Sequence, residues 1–224
     1  MRPRGRGRAR VQECWSGSPL PEAHVTVHYA IDKPDSMGTS PLSATPRLRG
    51  TLPEAMQLRQ LTQDDESAFF EGLEHWPADD RRWYTFAWKP GVSYAEMLEA
   101  LAREHRGEVP EGRVPATMFY GFVDGRIVGR VHVRHALTEQ LRRRGGHMGY
   151  AVAEKFRRRG YASEMMRQAL PRCSDLGIRE LLITCADDNI PSWKVIEKYG
   201  GLLDDRVWDD VDQEMIRRYR IVLM

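Results

Sequence analysis

The stretch from His147 to Cys185 constrains the fold more than any other part of the chain. His147–Ala153 reads as a strand, and a short basic loop then leads to Gly160. Gly160–Leu176 reads as a helix, with Ala162, Met165, Met166, Ala169, Leu170 and Cys173 recurring at helical spacing. Pro171 should kink or shorten it, and Gly177 stops it. Ile178–Cys185 follows as an unbroken apolar run, the pattern of a strand buried on both faces. Strand, helix and strand in this order make a crossover unit, which packs its helix against a sheet.

The remaining segments fit around that unit. Met56–Leu61 reads as a strand, Asp64–Leu73 as a helix and Trp76–Gly91 as an aromatic-rich loop. Tyr94–Arg103 is a second helix, with Met97, Leu98 and Leu101 on one face. Pro115–Val123 and Arg126–His135 are strands flanking Asp124-Gly125, a pair suited to a type I′ hairpin turn. Asn189–Tyr199 is a short helix with Pro191 in its first turn and Gly200-Gly201 at its end. Strands over Leu202–Trp208 and Met215–Leu223 complete the chain. Antiparallel hairpins combined with a crossover indicate an α/β (α+β) single domain with one mixed sheet.

Charge divides the chain differently. The 224 residues carry a net +2, yet residues 1–55, with eight basic and five acidic side chains, carry +3. Residues 56–224 are therefore −1. The first 55 residues also hold seven of the thirteen prolines and no sustained periodicity. They read either as a disordered extension or as a mis-assigned start, with Met56 opening the domain. The Arg-Gly alternation after Met1 resembles arginine–glycine RNA-binding segments but is short, so no nucleic-acid partner is expected. No run reaches the roughly 20 apolar residues needed to span a bilayer, so no membrane role is expected. Cys14, Cys173 and Cys185 are too scattered for a disulfide framework or a thiolate metal site, and a cytoplasmic setting is the expectation.

The chemistry points to Val152–Ala162. A strand end, the Arg157-Arg158-Arg159 loop and Gly160 lead into a helix N-terminus, where unpaired N–H groups and the dipole favour an anion such as a pyrophosphate. Neither a Walker A loop nor a dinucleotide fingerprint is present. Taken alone, the three arginines fit a phosphate site or a solvated charged turn equally well.

Arg157-x-x-Gly160-x-Ala162 resembles the Arg/Gln-x-x-Gly-x-Gly/Ala signature of the GNAT superfamily of N-acetyltransferases. Val123–Gly129 resembles that family's hairpin between its second and third strands. Asn189-x-x-Ser192 with Glu197-Lys198-x-Gly200 resembles the helix after its fifth. The likeness runs from Met56 to about Leu223 and is strongest to a bacterial branch with Gly-Gly-His before strand four. It implies a GNAT-like domain over residues 56–224. That domain would have a mixed central sheet of about seven strands and four helices, with strands four and five splayed around acetyl-CoA. Backbone groups of Val152 and Ala153 would pair with pantetheine. The N–H groups of Arg157, Arg158, Arg159, Gly160, Tyr161 and Ala162 would hold the pyrophosphate. Asn189 would contact pantetheine, with Ser192 in support. The implied reaction is direct transfer of an acetyl group to a primary amine of a small molecule or peptide, without a metal. Such domains often pair, so a homodimer is an expectation of the same kind. The alternative is a GNAT-fold protein that binds acyl-CoA without transfer.

The sequence departs from the common pattern at the catalytic groups. Ile196 stands where many members carry a tyrosine as general acid, and Tyr199 lies one helical turn later. No carboxylate lies on the fourth strand, which leaves His147 as a candidate base. Cys185 reads as a buried thiol. His132-x-x-His135 lacks a third ligand and is not read as a metal site. Trp76, Trp83, Tyr84, Phe86, Trp88 and Tyr94, with Asp79 and Asp80, either border an acceptor site or pack their own loop. Arg142–Arg144 reads as a solvated turn.

Overall fold

The computed structural model describes residues 56–77 and 81–223. The readings of residues 1–55 and of Asp79 and Asp80 lie outside the described residues. Seven strands form: β1 (Gln57–Arg59), β2 (Ala116–Val123), β3 (Arg126–Arg134), β4 (Met148–Val152), β5 (Glu180–Ala186), β6 (Leu202–Asp209) and β7 (Glu214–Val222). The helices are α1 (Glu66–Leu73), α2 (Arg81–Tyr84), α3 (Tyr94–Arg106), α4 (Glu139–Arg143), α5 (Tyr161–Asp175) and α6 (Ile190–Lys198). The expected four are all present. The additions α2 and α4 have four and five residues, too short to show a 3.6-residue period in sequence. Trp76–Gly91, expected to be loop throughout, therefore contains one turn of helix.

The strands are divided between two sheets, β1-β2-β3-β4 and β5-β7-β6, with antiparallel neighbours throughout. The sheet is parted where β4 meets β5, the splay that the resemblance implied, and the described ladders are all antiparallel. The β2–β3 turn has φ of 48° at Asp124 and 73° at Gly125, the left-handed pair that a type I′ turn requires. Pro171 does not end α5, which runs on to Asp175. It sits on the exposed face, so the carbonyl of Arg167 that loses its i+4 donor faces water.

Two cores lie on opposite faces of the first sheet. Alternation sends Val131, Val133, Met148, Tyr150 and Val152 toward α5 and α6, where Met165, Met166 and Ile196 meet them. The other face carries Met118, Tyr120 and Ile127 against Phe69, Tyr84 and Met97. Phe70, Trp76, Tyr84 and Trp88, near α2 in sequence or space, pack here, and the Trp83 side chain lies outside the described residues. Phe69 and Tyr84 rings lie 5.1 Å apart, Trp76 and Tyr84 5.8 Å, and Phe70 and Trp88 5.8 Å. For Trp76, Tyr84 and Tyr94, all buried, packing is the role the structure shows.

Candidate functional site

The site is built where the two sheets part. At one end β4 and β5 are held together. His147 N–H donates to the Leu182 carbonyl at 2.7 Å, and the Leu182 N–H donates to His147 Nδ1 at 2.9 Å. Gly146 permits this approach. Its φ is 59°, and a Cβ there would run into the Leu182 carbonyl. Beyond this clasp the strands form no ladder, and a small cleft opens, lined by Met148, Gly149, Thr184, Cys185, Ala186 and Ile216.

Backbone register decides which groups face that cleft. Arg134 N–H donates to the His147 carbonyl and Ala153 N–H to the Val128 carbonyl, so odd-numbered residues of β4 bond toward β3. The amides of Met148, Tyr150 and Val152 therefore turn toward β5. The same alternation along β5, fixed by its ladder with β7, turns Leu182, Thr184 and Ala186 toward β4.

This register corrects one expectation. The Ala153 N–H is bonded to Val128 and its carbonyl accepts from Phe156 N–H at 2.8 Å, so Ala153 offers a ligand no free backbone group. Val152 remains well placed, although its carbonyl accepts from Arg157 Nε at 3.3 Å.

At the open end the chain passes through a 3-10 turn (Glu154–Phe156) into α5. Gly160 is the N-cap residue, with φ of 86°. A Cβ at Gly160 would meet nothing within 4 Å, so the left-handed backbone, rather than crowding, calls for glycine here. The first helical bond runs from Glu164 N–H to the Gly160 carbonyl, which leaves the N–H groups of Tyr161, Ala162 and Ser163 as the orphan donors of the helix end. Arg158 and Arg159 are exposed beside it, and Arg157 is half-buried. Arg157 N–H is already bonded to the Glu154 carbonyl, so it drops out of the expected set of amide donors. The Tyr161 side chain is buried in the core.

The N-terminus of α6 closes the third side. Asn189 Oδ1 accepts from Ser192 N–H at 3.2 Å, a conventional cap. Its Nδ2 is buried without a hydrogen-bond partner. Tyr150 reaches across the sheet gap, its hydroxyl 2.9 Å from Ser192 Oγ and 3.1 Å from the Ser192 carbonyl. Burial pushes the Cys185 thiol up to about 12, so it is a neutral thiol at pH 7.

The two sequence candidates for proton transfer sit apart. His147 is at the clasped end. Burial, with Arg142 and Arg134 nearby, lowers its pKa to about 4, and its Nδ1 lone pair is committed to Leu182. While that bond holds, Nδ1 cannot take a proton, so a strut between strands replaces the expected base. Tyr199, the C-cap of α6, places its hydroxyl 3.2 Å from Ser163 Oγ in the first turn of α5. It therefore stands beside the N-terminus of α5, and Ile196 is fully buried in the core. His135 Nε2 lies 2.8 Å from Thr117 Oγ1, which also meets His105 Nδ1 at 2.8 Å. Among the described residues no three His, Cys, Asp or Glu side chains gather as metal ligands.

Sequence reasoning missed a polar file on β3. Arg130, His132 and Arg134 are all buried and face α3 and the loop after α2. Arg134 Nη1 donates to the carbonyls of Gly145 and Gly146 at 3.1 and 3.0 Å, which supports the turn before β4. Alternating charged residues in a strand signal a solvent face, and only the covering helix makes this one internal.

Comparison with known proteins agrees with this geometry. The family described as "Acetyltransferase (GNAT) domain" matches residues 56–201. The L-amino acid N-acetyltransferase AaaT of Escherichia coli (strain K12) is 33% identical over 82 residues, 35% of this chain and 48% of that protein. The match thus spans about half the length of this curated relative. The RimL ribosomal L7/L12 alpha-N-protein acetyltransferase in complex with coenzyme A has a TM-score of 0.53 at 16% identity, covering 77% of this chain and 97% of that one. Mycobacterium smegmatis RimJ in complex with CoA-disulfide gives 0.54 at 18%, covering 76% and 83%.

Proposed function

Because the chain belongs to the GNAT acetyltransferase family, we propose that it is an acetyl-CoA-dependent N-acetyltransferase acting on a primary amine by direct transfer. The observation that carries the reading is the parted β4–β5 edge, with the Tyr150 and Val152 amides facing the gap and the α5 N-terminus at its open end. A pantetheine arm fits such an edge as an added strand fits a sheet. Asn189 Nδ2, a buried donor lacking an acceptor, fits a pantetheine carbonyl. The N–H groups of Gly160, Tyr161 and Ala162, with Arg158 and Arg159, fit the pyrophosphate. Bound acetyl-CoA supplies the acyl group already activated as a thioester. A β4 amide at the cleft, that of Met148 or Tyr150, is placed to stabilise negative charge growing on the thioester oxygen. Tyr150, Thr184, Ser192 and the Cys185 thiol are hydroxyl and thiol groups near the gap, and the Thr184 hydroxyl is engaged by the Gly145 N–H at 2.8 Å. In this reading Ser192, whose Oγ lies 2.9 Å from the Tyr150 hydroxyl, gives the departing sulfur a proton.

The acceptor is an amine of an amino acid, small molecule or peptide. A domain of this kind, working in the cytoplasm and pairing as a homodimer, completes the proposal. A second reading, acyl-CoA binding without transfer, draws on Ile196 and on the engaged Nδ1 of His147. Calorimetry with CoA and a thiol-release assay over amino acids, peptides and polyamines separate the two. Micromolar CoA binding with amine-dependent thiol release is expected. Binding with no release for any amine class leaves only the second reading, and no binding at all sinks both.

A further inference from the structure

We propose that His132 is the proton acceptor for the incoming amine, with Glu104 as the positioning residue behind it. The proposal rests on the acetyltransferase reading and adds to it a base that the sequence of β4 lacks.

His132 of β3 pairs with Gly149 of β4, and Gly149 lines the cleft between the sheets. Paired residues share a face, so the imidazole stands beside a position with no side chain of its own. On that face the ring meets Phe86, 5.1 Å away between centroids. The side is opposite to α5, so an acceptor would approach β4 there without displacing the pyrophosphate end.

The imidazole is 4% exposed, yet neither ring nitrogen has a hydrogen-bond partner. Glu104 Oε1 of α3 is 3.8 Å from Nε2, too long for a hydrogen bond but close enough for charge to be felt. A buried, doubly unsatisfied imidazole costs stability and calls for a ligand that satisfies it. The Tyr120 hydroxyl, on the same face, is a further buried polar atom without a partner. The charged groups facing His132 are Glu104 of α3 and Arg130 and Arg134 of its own strand, and burial together with the two arginines keeps the ring neutral at pH 7. The carboxylate favours the tautomer with hydrogen on Nε2, which leaves the Nδ1 lone pair open.

An N–H bond of the bound ammonium breaks, its electron pair stays on nitrogen, and the proton bonds to Nδ1 of His132. The imidazolium so formed is stabilised by Glu104 and returns its proton to solvent. The freed lone pair then attacks the thioester.

The test uses the full chain and the fastest amine among an amino acid, a peptide N-terminus and a polyamine. His132→Gln should lower kcat/KM for the amine at pH 7 about 100-fold or more. Glu104→Gln should lower it about 10-fold. Both losses should shrink as pH rises toward the amine's own pKa, because the amine then deprotonates unaided. CoA affinity by calorimetry should stay within about twofold, which also reports that the variants fold. Added imidazole should restore part of the rate to His132→Ala. A pH-independent loss, or none, with CoA binding intact would overturn the assignment and leave the acetyltransferase reading standing. A wild-type chain that binds CoA but acetylates no amine would remove both.

Discussion

At the scale of single residues, one imidazole joins the two sheets. His147 accepts the Leu182 amide on Nδ1, and that bond exists only while the nitrogen is unprotonated. Its pKa of about 4 lies below the ordinary 6.5, and His132 is lowered to about 4 as well. Between these values the unfolded chain binds more protons than the folded one, so stability rises with pH across the interval. The contribution is complete above about pH 6.5 and is lost as pH falls toward 4. Urea midpoints should therefore drop from pH 7 to pH 5, above the range where most carboxylates titrate. In a His132→Gln, His147→Gln double variant the drop should be smaller, even if the variant starts from lower stability. Equal drops in the two proteins would count against both histidines. Of this pair, His147 was singled out in the sequence as an ionisable group at the start of the fourth strand. Its bond to Leu182 was invisible there, because the partner lies 35 residues away across a crossover.

At the scale of elements, α5 shows what local sequence encodes and what it omits. Its apolar spacing, the Gly177 stop and the basic turn before it were all legible, since each depends on residues within a few positions. The role of Gly160 was legible only in part. Close ligand approach is one reason for glycine at a helix start, and a left-handed cap is another; the φ of 86° and the open space at its Cβ favour the second. The two make different predictions. Gly160→Val should weaken CoA binding about tenfold or more, because a β-branched side chain resists this backbone. Gly160→Asn, which tolerates the left-handed region, should bind within several-fold of wild type. Calorimetry that finds both equally impaired would return the argument to close approach. Pro171 teaches the converse lesson. Propensity alone argues for a break, but the lost hydrogen bond falls on the water-facing side, and the helix continues through it with Met165, Met166, Ala169 and Cys173 packed in the core.

At the scale of the molecule, the domain is two antiparallel sheets joined chiefly by α5, α6 and the clasp at His147. Periodicity identified all seven strands, yet it carries no information on which strand edges pair, and the parting of β4 from β5 follows from pairing. A ligand that bonds to both edges should then act as a tie between the sheets. Binding only to the folded form stabilises it by RT ln(1 + [L]/Kd), about 2.7 kcal/mol at 100 times Kd. For a domain of this size that is a rise of roughly 5–11 °C in Tm. CoA at such a concentration should produce this shift by scanning fluorimetry or calorimetry. Desulfo-CoA should match it, because the pantetheine amides and pyrophosphate, not the thiol, make the bonds. Adenosine 3′,5′-bisphosphate, which has no pantetheine arm, should give much less. If the bisphosphate alone gave the full shift, the stabilising contacts would lie at the α5 N-terminus, and the parted strand edges would not be the surface that holds the ligand.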